Sequence, residues 1–500
     1  MAAVTQRIDN YLGGVSRQSD DKKLPGQVRE CLNGYPDPTF GLTKRPGFKW
    51  IANLGTGTTY DDCKWFYIHR DADERYIGCI KKATGGSTGD IDIWNATTGA
   101  VCTVTYGTGA QAYLTGSSTN YDILTVQDTS IITNNLITVA KQADPAFITN
   151  TRATLILTDT AVSSTYSVTM TAGGASQTYS ITTGGTETYD ELLGKLKTGI
   201  ESFGISGVTV NIYAASLEVS RVVSGTRTAF GITCKGGPAN NKLAVFQDQV
   251  DNVSQLPTQS FHGRVVKIIN TESTSDTYFA KFVADDAVSG VGHWEETIDP
   301  SKSLGLDDST MPHELINTAA NTFQFRKASY APRICGDDVT NSHPSFVGNK
   351  IVQSFFHNNR LGFLTSDNVS LSRAGAFFNF YHTSAQTVTD ADPVDLSAST
   401  IKPVQLHGIV PTTQGLILFS RTQQFLMSSA DNVLTPASTT IRAISSYEME
   451  TDVDPVDMGR TINFISKTPS YTRIFGMITR GQNENPQVLD VGRVVNEWVP

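Results

Sequence analysis

Along most of this chain apolar and polar residues alternate in short runs, the two-residue period of strands with one buried face. Ser167-Val-Thr-Met170, Thr178-Tyr-Ser-Ile181, Val208-Thr-Val-Asn-Ile212 and Ser216-Leu-Glu-Val219 carry the period. So do Gly263-Arg-Val-Val-Lys-Ile-Ile269 and Thr277-Tyr-Phe-Ala-Lys-Phe-Val283. One stretch changes the period to that of a helix. Between Thr188 and Phe203, the residues Leu192, Leu193, Leu196, Ile200 and Phe203 fall on one stripe. Thr188 and Glu191 have the spacing of a capping box, while Gly194 weakens the interior. A second, weaker helical pattern covers Thr310-Met-Pro-His-Glu-Leu-Ile-Asn317, with Pro312 in its first turn. Strand pairs on either side of the first helix predict an α+β module from about residue 150 to about residue 325.

The flanking regions read as hairpins. Arg75–Ile80 and Ile91–Trp94 are joined through the Gly-rich Thr84–Gly89, and Asn95–Gly99 makes the next turn. Tyr121–Val126 is followed by Ser130–Thr133. After residue 345 the same style returns in Arg360–Leu364 with Val369–Ser372, and in Gly415–Ser420 with Gln424–Met427. Short strands at this spacing suggest sandwich sheets or propeller blades. Thr389-Asp-Ala-Asp-Pro-Val-Asp-Leu396 recurs as Thr451-Asp-Val-Asp-Pro-Val-Asp-Met458, a repeat of the kind that blades leave in sequence.

Composition sharpens the class. Thr makes up about one residue in eight and Gly numbers 42, which favours strands and turns over helices. Lys+Arg 39 against Asp+Glu 48 leaves a net charge of −9. That balance argues against a whole-chain electrostatic grip on nucleic acid, which needs basic side chains to neutralise phosphates. Met1–Asn10 does not read as a Sec leader, and apolar runs such as Leu416–Phe419 are too short to span a bilayer. The six cysteines (31, 63, 79, 102, 234 and 335) have no C-x-x-C rhythm and read as reduced thiols.

Candidate chemistry is sparse. His313-Glu-Leu-Ile-Asn317 begins like a zinc-protease helix, but Asn317 stands where the second histidine is required. Gly194-Lys195 lacks the rest of a phosphate-binding loop, and Gly55-Thr-Gly57 has Tyr60 in place of a third glycine. Asp390, Asp392 and Asp395 could offer oxygens to Ca²⁺, or could serve ordinary Asp-Pro turns. Phe355–Phe363 and Ala376–Tyr381 are aromatic-rich, fitting either a stacking platform or a core with subunit contacts. Lys22-Lys23 and Lys44-Arg45 are too short for a nucleic-acid stripe. No catalytic, cofactor-binding or metal-ligating residue is assigned.

Two regions resemble a known family. Tyr11-Leu-Gly-Gly-Val-Ser-Arg-Gln-Ser-Asp20, Leu24-Pro-Gly-Gln27, Asn33-Gly34 and Gly41-Leu-Thr-Lys-Arg-Pro-Gly47 are similar to the opening of the tail tubular protein B (nozzle) family of short-tailed podophages. Thr310–His313, Cys335-Gly-Asp337, Ser345–Gly348, Phe355–Leu364, Ser370–Arg373, Phe378–Tyr381 and Asp392-Pro-Val-Asp395 resemble it in the same order. The resemblance implies a mainly β fold, a β-propeller interrupted by an inserted platform-like domain. The expected division is 1–50 as an N-terminal segment, 51–150 as first blades, 151–325 as the inserted α+β domain and 326–500 as further blades. It further implies a non-enzymatic virion protein, made in the host cytoplasm and lacking a cofactor. Such a protein would form a homohexameric ring that docks on the tail adaptor, tail tubular protein A. The ring would support tail fibres and conduct genome DNA during ejection without reading its sequence. Family chains typically run on past a point like Asn496–Pro500. The alternatives are a propeller that binds host-surface glycan or protein through loop aromatics such as Trp65 or Trp94, and a polysaccharide hydrolase.

Overall fold

A computed structural model describes residues 10–55, 60–82, 88–185, 187–269, 277–398, 404–429, 433–479 and 484–493. The chain is mainly β, and Tyr189–Glu201 is its principal helix among the described residues. Most of the Thr84–Gly89 turn, Gly57, and the ends 1–9 and 496–500 lie outside them.

Five antiparallel-rich sheets pack face to face in succession. Sheet I is Lys64–His69, Arg75–Lys81 and Asp90–Asn95. Sheet II runs in the spatial order Thr103–Tyr106, Thr322–Lys327, His313–Ala319, Thr129–Asn134, Tyr121–Val126, with its first pair parallel. Sheets III to V are four-stranded up-and-down meanders. Sheet III comprises Gln353–His357, Arg360–Leu364, Asn368–Leu371 and Val394–Ser397. Sheet IV comprises Leu406–Thr412, Gly415–Ser420, Gln424–Ser428 and Thr440–Ser445. Sheet V comprises Val456–Asp457, Ile462–Lys467, Thr472–Ile478 and Gln487–Asp490.

Each neighbouring pair shares its own apolar core. Ile80 and Ile93 meet Phe323 and Phe325 between I and II, and Ile131 and Met311 meet Phe363 between II and III. Leu371 meets Leu416 between III and IV, and Phe419 meets Phe464 between IV and V. No core of this kind joins V back to I among the described residues, so a closed propeller is not found.

Residues 152–297 carry separate cores. Thr165–Ala172 pairs with Ala175–Thr182 and Gly231–Gly236, while Ser216–Val223 pairs with Val208–Tyr213 and Arg152–Leu157. The helix closes this core with Leu192, Leu193, Leu196 and Ile200, each worth roughly 1.5–3 kcal/mol when fully buried. Gly199 permits its approach, since a Cβ there would lie 2.2 Å from the Tyr179 ring. The capping box forms as the sequence predicts: Thr188 Oγ1 accepts from Glu191 N at 3.3 Å, and Glu191 Oε2 accepts from Thr188 N at 2.9 Å. Thr188→Ala is expected to cost about 1 kcal/mol of local stability. Faster amide exchange at Glu191, with the other cores unchanged, would register it. A further small core, around Val266 and Ala280, belongs to Val265–Ile268, Tyr278–Ala284 and Ser289–Thr297.

Two sequence expectations are corrected. Thr310–Asn317 is not helical. His313–Ala319 is a strand with partners on both edges, Thr129–Asn134 and Thr322–Lys327, and His313, Glu314 and Leu315 are buried. Two pairing edges outweigh the marginal stability of so short an isolated helix. The Asp-Pro repeat does not mark equivalent blade positions either. Its first copy leads into the last strand of sheet III, its second into the first strand of sheet V.

Candidate functional site: the junction of inner strands

One edge strand of each of sheets I to IV lies against the edge strand of the next. Lys64–His69 adjoins Tyr121–Val126, which adjoins Gln353–His357, which adjoins Leu406–Thr412. The segment entering sheet V completes the set. A Cβ on Gly408 would meet the Pro455 ring at 2.9 Å and sit 4.0 Å from Gln353 Oε1, so a side chain there has no room. Gln353 Oε1 accepts from Ile409 N at 2.8 Å, tying III to IV. Asp122 Oδ2 accepts from Ser354 N at 2.7 Å and Ser354 Oγ at 3.0 Å, tying II to III.

Asp122 keeps some exposed surface yet is crowded by protein. Burial pushes its carboxyl up to about 6, and the negative Asp454 adds to the rise, while the Ser354 bonds and the positive Lys64 oppose it. A carboxyl raised above its unfolded value of about 3.9 binds its proton more tightly when folded. Its contribution therefore stabilises at low pH and is lost as pH rises from about 4 to about 6. Asp122→Asn is expected to flatten that part of the stability–pH curve. Denaturation midpoints measured across it would check this, and an unchanged slope would contradict the assignment.

The other sequence candidates have structural partners. His313 Nδ1 lies 2.8 Å from the Met311 carbonyl, and its ring stacks on Tyr113 at 4.1 Å. Burial lowers its pKa to about 4, so it is neutral at pH 7. Asp390, Asp392 and Asp395 do not converge on a shared point. Asp395 accepts from Ser345 N at 2.6 Å and Ser370 Oγ at 2.9 Å. Buried Asp392 accepts from Thr389 N at 2.7 Å, and the Asp390 carbonyl accepts from buried Arg360 at 2.7 Å. Among the described residues no group of three His, Cys, Asp or Glu is placed to hold a metal ion. Phe355, Phe363, Phe380 and Tyr381 are core, and Phe356 packs on Phe377 at 5.2 Å. Trp65 and Trp94 sit on strands of sheet I rather than in loops, 5.9 Å apart, with Trp94 buried.

Lys23 pairs with Asp20 at 2.6 Å and Lys195 with Glu187 at 2.9 Å, while the Arg45 guanidinium lies over the Phe48 ring at 4.9 Å. All six cysteines are free thiols.

Sequence reasoning missed the Asp122–Ser354 tie and the buried pair Glu218–Arg264. Arg264 Nη1 meets Glu218 Oε2 at 2.6 Å, and Thr154 Oγ1 and Ser260 Oγ donate to Glu218 Oε1 at 2.8 and 3.0 Å. Arg152 stacks on Phe261 at 3.4 Å nearby, and burial brings its pKa down to about 9. A Glu inside Leu217-Glu-Val219 was the available signal, because a charge in an apolar run needs a buried partner.

Taken together, these arrangements hold sheets in place. Among the described residues no helix is long and apolar enough to cross a membrane. Compared with known proteins, the chain is 28% identical over 490 residues to tail tubular protein gp12 of Escherichia phage T7, covering 95% of this chain and 59% of that protein. It thus spans about three fifths of the length of that curated relative. The sequence profile of the bacteriophage nozzle protein family matches residues 1–500. The chain therefore belongs to the bacteriophage nozzle protein family, whose members are structural components of the virion tail and not enzymes.

Proposed function

We propose that this chain is a subunit of a six-fold nozzle ring at the distal end of the tail tube. In this reading it docks on the tail adaptor, offers side surfaces to tail fibres and encloses a passage for genome DNA. The observation that carries the proposal is the family match across residues 1–500. The succession of five sheets around Asp122, Ser354, Gly408 and Pro455 supports a propeller-like body, interrupted by an α+β unit whose separate cores lie within 152–297. The strands His313–Ala319 and Thr322–Lys327 would then return the chain to that body. Heterologous contacts that close after six copies give a ring without any catalytic group. A net charge of −9 suits a passage that must not hold phosphates.

The test is assembly. Mixed with its adaptor ring, the chain is expected to attach as six coaxial copies, seen by negative-stain microscopy and by mass. A chain that stays monomeric beside the adaptor would overturn the proposal.

A further inference from the structure

Residues 10–51 form an arm that closes its hydrogen bonds on itself. Gly13 N donates to Gly26 O at 3.0 Å, Ser16 N to Val28 O at 2.9 Å, and Arg45 N to Asn33 O at 2.8 Å. Gly34–Asp37 and Gly41–Lys44 make a two-stranded sheet of their own. Such a ribbon is marginal alone in water, and this one leaves its large apolar side chains uncovered. Leu32 is 79% exposed, Phe40 80%, Phe48 88% and Trp50 77%. Exposed apolar groups gathered on one segment mark a contact surface.

Charge indicates what covers it. The arm holds seven basic and four acidic residues, a net charge of +3, so the rest of the chain carries −12. One segment of that remainder matches the arm in both respects. Glu448, Asp452, Asp454 and Asp457 are exposed where the chain passes from sheet IV into the first strand of sheet V, and among the described residues none of them forms an ion pair. Val453, Val456 and Met458 are exposed beside them, at 41–70%. The chain's own arm does not cover this strip.

We propose that the arm of one copy packs on the 447–458 strip of a second copy of this chain, as an inter-subunit strap. Phe40, Phe48 and Trp50 supply the buried anchors, in keeping with the aromatic enrichment of interface centres, and Lys44, Arg45 and Lys49 face the carboxylates. The proposal rests on the ring reading above and adds which surfaces meet.

The experiment uses the full chain with a photoreactive benzophenone in place of the Phe48 ring, alone at high concentration and mixed with the adaptor ring. Adducts between copies, mapping to 447–458, are the expected result. Lys44→Glu with Arg45→Glu and Lys49→Glu should cut their yield at least tenfold. Adding Glu448→Lys, Asp452→Lys and Asp457→Lys to the same chain should restore it. Failure of that restoration overturns the strip assignment. Six copies on the adaptor with Phe48 crosslinked only to the adaptor, or only within its own chain, overturns the strap and leaves the nozzle reading standing. Absence of rings removes the nozzle reading; copy-to-copy adducts in the chain alone would then still support the strap, and their absence would overturn it. Since the arm residues are exposed, unchanged circular dichroism is expected for the arm variants.

Discussion

Arg264→Met is expected to destabilise residues 152–297 by about 3–5 kcal/mol, the usual cost of stranding one buried charge. Glu218 would keep its Thr154 and Ser260 donors but lose the guanidinium 2.6 Å away, and the Gln247 carbonyl would lose its donor. Both side chains of the pair are 2% exposed, so water cannot take the missing place. Trp294, whose indole donates to the Pro257 carbonyl at 2.8 Å, reports on this region. Its fluorescence should shift to a lower denaturant midpoint in the variant. Combining Arg264→Met with Glu218→Leu should recover most of the loss, because an apolar pair of similar volume needs no counter-charge. A Trp294 transition unmoved in the single variant would refute the account.

Phe363→Ala is expected to cost a similar 3–5 kcal/mol, through a cavity and not a charge. Phe363 is fully buried, stacked on Phe380 at 5.0 Å and edge-on to Phe346 at 5.6 Å. Ile131 of sheet II and Leu361 of sheet III belong to the same core cluster, so the gap would weaken that interface. Calorimetry should show the sheet transition displaced downward by roughly 10 °C, given about 2–4 °C per kcal/mol for a unit of this size. The Trp294 transition should stay in place, because separated sites add independently. Parallel displacement of both would mean that the two regions unfold as one.

Local chemistry was legible where it decided the outcome. Thr188 and Glu191 carry their signal within four residues, and the structure keeps both bonds. The hairpins Arg360–Leu364 with Asn368–Leu371, and Gly415–Ser420 with Gln424–Ser428, follow from short apolar runs bounded by turn residues. Thr310–Asn317 misled because its periodicity is ambiguous over eight residues and its two strand partners lie elsewhere in the chain. Arg152–Leu157 and Gly231–Gly236 were not recognised, the first being a short unpatterned run and the second having little apolar content. Asp122 was beyond reach for a different reason. Its surroundings are set by the Ser354 donors, 232 positions later, and by the negative charge of Asp454 beyond that. The aromatic-rich 355–381 stretch could be read as core or as platform, and only its neighbours separate the two.

Sheet II is assembled from two parts of the chain that are far apart in synthesis. Ile132 pairs with His313, and Thr103 with Thr322, so the sheet cannot be completed until the later strands emerge. Closing an unfolded loop of that length would be entropically costly and slow. Residues 152–297 have their own cores and their own helix, so they can fold while still attached to the ribosome. Once folded they become a short rigid bridge that brings the next strands back beside the waiting ones. The insertion thus acts during synthesis as an intramolecular template, fixing when sheet II, and every sheet stacked after it, can form.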